Sequence, residues 1–312
     1  TLSRIRNGLS KRIRYVRFKR ALRPSDVFLV SYPKSGRNWV GFFLATVIAQ
    51  RMGGASHPLT LRNYRHYVPP IWVENWDGDF PRYRYLASPR VFLSHTCYKS
   101  VLPRVIYLVR DPRDVMVSYY WYTRLLRPDA KLSLHDFAYR NEMPSGDWGE
   151  HVDGWLRNWS SDRMLLVRYE DLQAETHTEF GRILDFCGYR IGQTGLAECI
   201  RSSSFDNMRR LEEQYGKNEL DGDPNMRFMR RGVAGGWQDE LSCELVRLIE
   251  TRYASLMDRL RYERVTQIDE VQLTSKDFAR PMMDSNPTIH RYSGGRPGGE
   301  QGDDDQRAQV PA

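Results

Sequence analysis

The sequence predicts an α/β fold in which a mainly parallel central sheet is flanked by helices. Short apolar runs alternate along the chain with segments of helical periodicity, the pattern of strand–helix–strand units. Those runs are apolar nearly throughout, which marks strands covered on both faces rather than on one. Strands are expected at Val27–Tyr32, Val91–Ser94, Val105–Val109 and Met164–Arg168. Helices are expected at Trp39–Arg51, Arg113–Leu126, Trp148–Trp159, Glu175–Phe186 and Cys243–Arg259. In such sheets ligands bind at the carboxyl ends of the strands, so chemistry is sought there.

The ends of the chain differ from its body. Of the net charge of +8, residues 1–25 hold nine basic side chains and no acid, while residues 266–312 hold eight acids and five bases. The intervening 26–265 therefore carry only +2, and the basicity belongs to an arm rather than to the folded domain. Within the arm Leu2, Ile5, Leu9, Ile13 and Val16 recur at three- and four-residue spacing. That spacing makes a short basic amphipathic helix, suited either to an anionic membrane surface or to packing on its own domain. The stretch 293–312 is rich in Gly, Asp, Gln and Pro, and with the rest of 266–312 is expected as a disordered tail. Three segments follow: a basic arm at 1–25, a folded domain at 26–265 and a polar tail at 266–312. No apolar run approaches the roughly 18 residues that cross a bilayer. The first residues interleave Leu and Ile with Arg and Lys instead of forming an apolar leader. Taking Thr1 as near the true start, a cytoplasmic protein is expected. Cys97, Cys187, Cys199 and Cys243 show no metal-type spacing and are expected as buried free thiols.

The first strand runs into Pro33-Lys34-Ser35-Gly36-Arg37-Asn38-Trp39 and then a helix. A Gly-containing turn at a helix N-terminus gathers backbone N–H groups, and the helix dipole favours an anion there. The GxxxxGK[ST] order of nucleotide triphosphatases is absent, since Lys34 precedes the glycine. Residues 63–85 hold Tyr64, Tyr67, Trp72, Trp76, Phe80, Tyr83 and Tyr85, a ring-rich loop that serves either as a pocket wall or as a small core of its own. The second strand closes on His95, a candidate general base at the ligand-binding edge. The third ends in Arg110, with Ser118 in the helix that follows, so both can converge on one anion. Alone, Arg110 is equally a surface partner for Asp111 or Asp114. Residues 211–225 are polar and contain glycine, the character of a lid.

Together these motifs resemble the PAPS-dependent sulfotransferases of the cytosolic type, in order and over about residues 26–260. PAPS is 3′-phosphoadenosine 5′-phosphosulfate, and PAP its desulfonated product. The stretch YPKSGRNW looks like the family's 5′-phosphosulfate loop, which would give donor contacts to Lys34, Ser35, Gly36, Arg37, Asn38 and Trp39. YLVRDPRDVMVSYY resembles the 3′-phosphate segment, placing Arg110 and Ser118 on that group. FMRRG with Trp237 behind it resembles the FMRKGxxGDW signature, which hands further 3′-phosphate contacts to Arg230, Arg231 and Gly232; Gly236 stands where the family usually has Asp. Tyr169 of Tyr169-Glu170-Asp171, Ser203, Phe205 and Met208 match the segments around adenine. VFLSHT is similar to the strand that ends in the catalytic histidine, so the resemblance makes His95 the base and Lys34 its catalytic partner. A lysine often found two residues before that histidine is Leu93 here. His151, in GDWGEHVDGW, matches a structural helix segment.

The implied function is in-line transfer of a sulfuryl group from PAPS to a hydroxyl of a small-molecule or carbohydrate acceptor. The fold implied is the P-loop-kinase-like sulfotransferase fold, working without a metal and without nucleic acid. The family's dimerisation motif has no good match around Gln238–Arg247, which leaves the oligomeric state open. Two other readings stand beside this one: a nucleotide kinase-like phosphotransferase, and a non-enzymatic module binding membrane or RNA through its basic arm.

Overall fold

A computed structural model of the chain describes residues 13–54, 58–71, 88–127, 132–141, 143–216 and 229–266. Among these, β1 (Val27–Ser31), β2 (Val91–Ser94), β3 (Arg104–Val109) and β4 (Met164–Arg168) form one sheet in the order β2-β1-β3-β4. All pairs are parallel, with Val27 opposite Val91 on one side and Arg104 on the other. The helices are α1 (Arg37–Arg51), α2 (Pro112–Leu126), α3 (Leu134–Arg140), α4 (Trp148–Arg157), α5 (Tyr169–Ala174), α6 (Thr176–Cys187), α7 (Gln193–Ser202), α8 (Phe205–Tyr215) and α9 (Cys243–Arg259).

Successive strand residues point to opposite faces, and they enter two separate cores. Phe28, Val30, Phe92, Val105, Tyr107 and Val109 pack with buried side chains of α2, α3, α4 and α9. Val27, Leu29, Val91, Leu93, Ile106 and Leu108 pack with those of α1, α6 and α7. Both faces are thus covered, the arrangement that the continuous apolar runs predict.

The expected strands and helices are present with small shifts at their ends. α4 stops at Arg157, where Asn158 takes the C-cap, so Trp159 falls outside the expected helix. The unanticipated helices are short or polar. α3 is fixed by its Ser133 cap and by Asn141 in the left-handed region. α7 and α8 fully bury only Leu196, Cys199 and Met208, although Leu196, Cys199 and Ile200, and Phe205, Met208 and Leu211, recur at helical spacing in short polar segments that the sequence reading passed over. Cys187 and Cys199 are buried free thiols, but Cys97 and Cys243 are exposed, because each lies just outside the strand or helix interior that would cover it. No helix among the described residues is long and apolar enough to cross a membrane.

The chain leaves β1 for β2 on one side and reaches β3 on the other. β1 therefore lies at a topological switch point, where a crevice opens beyond the strand ends. Since every strand is parallel, residues following β1, β2, β3 and β4 gather at one edge of the sheet.

Candidate active site

The turn after β1 requires unusual backbone. Lys34 adopts φ 72° and Gly36 φ 96°, in the region that side chains disfavour. Gly36 is also covered by a ring, since a Cβ there would lie 2.6 Å from Cδ2 of Tyr169. Gly36 supplies no side-chain cap to α1, and the first turn of α1 has no acidic residue. That leaves a helix N-terminus suited to an outside anion. Ser35 is fully buried, yet its hydroxyl has no hydrogen-bond partner among the described residues. An orphaned buried hydroxyl costs about 1–3 kcal/mol until something binds it.

The neighbouring side chains are more occupied. The Lys34 ammonium lies 4.2 Å from the Tyr122 ring centroid. Asn38 Oδ1 accepts a hydrogen bond from Tyr64 at 3.0 Å. Trp39 meets Tyr169 and Phe180 edge-on, at 5.8 and 5.5 Å between centroids. Tyr64, from the ring-rich loop, is fully buried against Phe42, so this residue belongs to a core rather than a pocket wall. Trp72, Trp76, Phe80, Tyr83 and Tyr85 of that loop, and 217–225 of the expected lid, lie outside the described residues.

Arg110, one residue past β3, ties three segments together. It donates to the Lys34 carbonyl at 3.4 Å and to the Val233 carbonyl at 2.7 Å, and its guanidinium lies 4.2 Å from the Tyr169 ring centroid. Its Nε is buried with no hydrogen-bond partner among the described residues. Its ion-pair partner is Asp114, at 3.3 Å; Asp111 instead pairs with Arg113, which also binds Glu250. Asp114 accepts the amides of Gly235 and Trp237 at 2.8 and 2.9 Å. Burial pushes its carboxyl pKa up, against the pull of Arg110 and those amides. Ser118 stands one turn beyond Asp114 on the same side of α2.

A second close approach brings Gly232 under Phe205. At φ 65°, a Cβ on Gly232 would lie 2.2 Å from Cδ2 of Phe205. Gln173 holds this turn from below, donating to the Gly232 carbonyl and accepting the Ala234 amide at 2.6 Å. Arg230 pairs with Glu240 at 2.6 Å, and Arg231 with Asp239 and Glu240. Glu240 also accepts from Trp121 Nε1 at 2.5 Å. Met208 is fully buried in the core beside Trp39. Ser203 is buried as well, and its hydroxyl donates back to the Cys199 carbonyl at 2.9 Å. Sequence reasoning passed over Gln173, Asp239 and Glu240, and saw Asp114 only as a partner for Arg110. The two acids that follow the arginine pair by eight to ten residues were the one available signal.

His95 lies just past β2, half-buried, with Nδ1 2.7 Å from the Ser31 carbonyl oxygen. A carbonyl only accepts, so Nδ1 carries the hydrogen and the lone pair of the neutral ring is on Nε2. Burial first, then the nearby Arg37 charge, hold the pKa of His95 well below the usual 6.5, with lesser contributions from His151 and Lys34. His151 is buried beneath it. Its Nε2–H donates to the His95 carbonyl at 3.3 Å, while the Tyr107 hydroxyl meets Nδ1 at 3.0 Å.

An uncapped helix N-terminus, converging cations and a neutral histidine, all at the switch point of a parallel sheet, define the class: an α/β protein with a turn suited to an anion. Comparison with known proteins narrows this. The family profile described as Sulfotransferase domain matches residues 24–261, and the chain belongs to the PAPS-dependent sulfotransferase family. It is 27% identical to mouse (Mus musculus) Sulfotransferase 2B1 over 263 residues, covering 76% of this chain and 72% of the relative. Mouse sulfotransferase SULT7A1 complexed with PAP superposes with a TM-score of 0.55 at 26% identity, over 76% of this chain and 86% of that one. Retinol dehydratase in complex with androsterone and inactive cofactor PAP shares the fold, with a TM-score of 0.60 at 19% identity over 80% and 84% of the two chains. The chain is therefore an enzyme of sulfuryl transfer, and the kinase-like and non-enzymatic readings give way.

Proposed function

We propose that the chain transfers a sulfuryl group from PAPS to a hydroxyl of a small-molecule or carbohydrate acceptor, with His95 as general base. The observation that carries this reading is the His95 Nδ1–H bond to the Ser31 carbonyl. It leaves a basic Nε2 on a ring held at the same sheet edge as the uncapped start of α1. A pKa lowered first by burial and then by the Arg37 charge keeps that nitrogen unprotonated at neutral pH, as a base requires.

The residues present fit a doubly phosphorylated nucleotide. The orphaned Ser35 hydroxyl and the turn Lys34, Ser35, Gly36, Arg37, Asn38 and Trp39 suit the 5′-phosphosulfate. The orphaned Arg110 Nε, with Ser118, Arg230, Arg231 and Gly232, suits the 3′-phosphate. Trp39, Tyr169 and Phe205 supply apolar surface for adenine, with Met208 buried behind Trp39 in support, and aromatic stacking stabilises a base by about 1–3 kcal/mol. Ser203 is left only its carbonyl for the donor, since both its hydroxyl and its amide donate to the Cys199 carbonyl. As the acceptor oxygen bonds to sulfur, its proton passes to His95 Nε2 and the bond from sulfur to the 5′-phosphate oxygen breaks. Lys34 and Arg37 stabilise the charge that collects on that oxygen, the electrostatic contribution common to such transfers.

Replacing His95 with Ala should lower kcat by about 10²–10⁴-fold while PAP affinity holds. Protonation of His95 stops the reaction, and its pKa is depressed, so the acid limb of kcat/KM should lie below 6.5. Undiminished turnover by His95→Ala, or an acid limb at or above that value tied to His95, would refute the assignment.

A further inference from the structure

Residues 13–21 form a helix whose apolar side chains point two ways. Phe18 is fully buried in the core, 6.4 Å from the Phe28 ring, and the following Ala21 and Leu22 pack with it. At about 100° per residue, Phe18 lies roughly 140–160° around the helix from Ile13 and Val16. These two form the end of the three- and four-residue stripe in the sequence, and each is 46% exposed. The helix therefore docks on its domain through Phe18, and the stripe is a second face turned to solvent. Arg14, Arg17, Lys19 and Arg20 around it are all exposed.

We propose that this second face lies on an anionic phospholipid surface, with Ile13 and Val16 entering the headgroup boundary and the flanking cations on the lipid phosphates. Charge selects this occupant. Residues 1–25 carry nine basic side chains and no acid, so a second copy of the same face would meet like charge. A nucleic acid would take the cations but has no use for two exposed aliphatic side chains between them. An anionic bilayer satisfies both, since interfacial binding sums apolar burial and attraction to charged lipid.

Co-sedimentation of the full chain with vesicles of phosphatidylcholine alone, or with added phosphatidylserine, tests this. Wild type should pellet only with phosphatidylserine vesicles. Ile13→Asp/Val16→Asp, at exposed positions away from the donor site, should weaken that binding by about tenfold or more. Arg14→Gln/Arg17→Gln/Arg20→Gln should weaken it as well, and PAP affinity should hold in both variants. The proposal fails if wild type ignores both vesicle types, or if the aspartate variant binds as wild type does. It also fails if wild type is a dimer that the aspartate variant splits, which would make the face a self-interface.

Discussion

At the scale of single residues, two glycines shape the crevice at the sheet edge because rings occupy the space their side chains would need. Gly36 lies under Tyr169 and Gly232 under Phe205, both at positive φ. Gly232→Ala must move Phe205 or the turn, and a left-handed alanine alone costs about 1 kcal/mol or more. The expected result is PAP binding weakened by about tenfold or more, with a lowered melting temperature; unchanged affinity by calorimetry would mean that Phe205 does not face the donor. Gly36 was legible in the sequence because the turn chemistry of a strand–Gly–helix joint is local, whereas Gly232 was singled out only by resemblance to the family signature. Ser203 was not fully legible. Its place beside the site follows from a pattern, but the turn of its hydroxyl into the Cys199 carbonyl depends on the helix end that it closes. The acids facing Arg230 and Arg231 were likewise hidden, since which carboxylate meets which arginine is fixed only when the turn at Gly235 folds back.

At the scale of elements, the junction of β3 and α2 organises the site. Asp114 in the first turn of α2 holds Arg110 on one side and the amides of Gly235 and Trp237 on the other. One carboxylate thereby couples the third strand to the segment that carries the arginine pair. Asp114→Asn keeps the shape but offers one acceptor oxygen where two were used. Folding stability should fall by roughly 1–3 kcal/mol in a denaturant titration, and PAP affinity should fall with it as the 229–237 segment loosens. Stability equal to wild type would show that the segment is held by other contacts. The strands were readable because both faces are buried and their runs are apolar. The short helices were not, because α5 is only six residues long and α7 and α8 carry only two or three core-facing side chains each among mostly polar residues.

At the scale of the whole molecule, a body of small net charge concentrates cations at one sheet edge, while the excess charge resides in the arm. Lys34, Arg37 and Arg110 follow strand ends that parallel pairing brings together, so a field suited to a polyanion arises from topology rather than from composition. Sequence alone shows the basic charge of residues 1–25 and the three- and four-residue spacing of their apolar side chains. It could not tell that Phe18, outside the stripe, is the residue that docks the helix, since that choice depends on Phe28 and Phe92 beneath it.

If the sheet edge is a donor site, it binds a nucleotide bearing both a 3′- and a 5′-phosphate. Isothermal titration of PAP in EDTA, against wild type and Arg110→Ala with ATP as comparison, measures it directly. Micromolar PAP binding, weakened by about tenfold (about 1.4 kcal/mol) or more in Arg110→Ala and far stronger than that of ATP, is the predicted result. ATP binding as tightly as PAP, or Arg110→Ala binding PAP as wild type does, would mean that this edge is not a 3′-phosphate site.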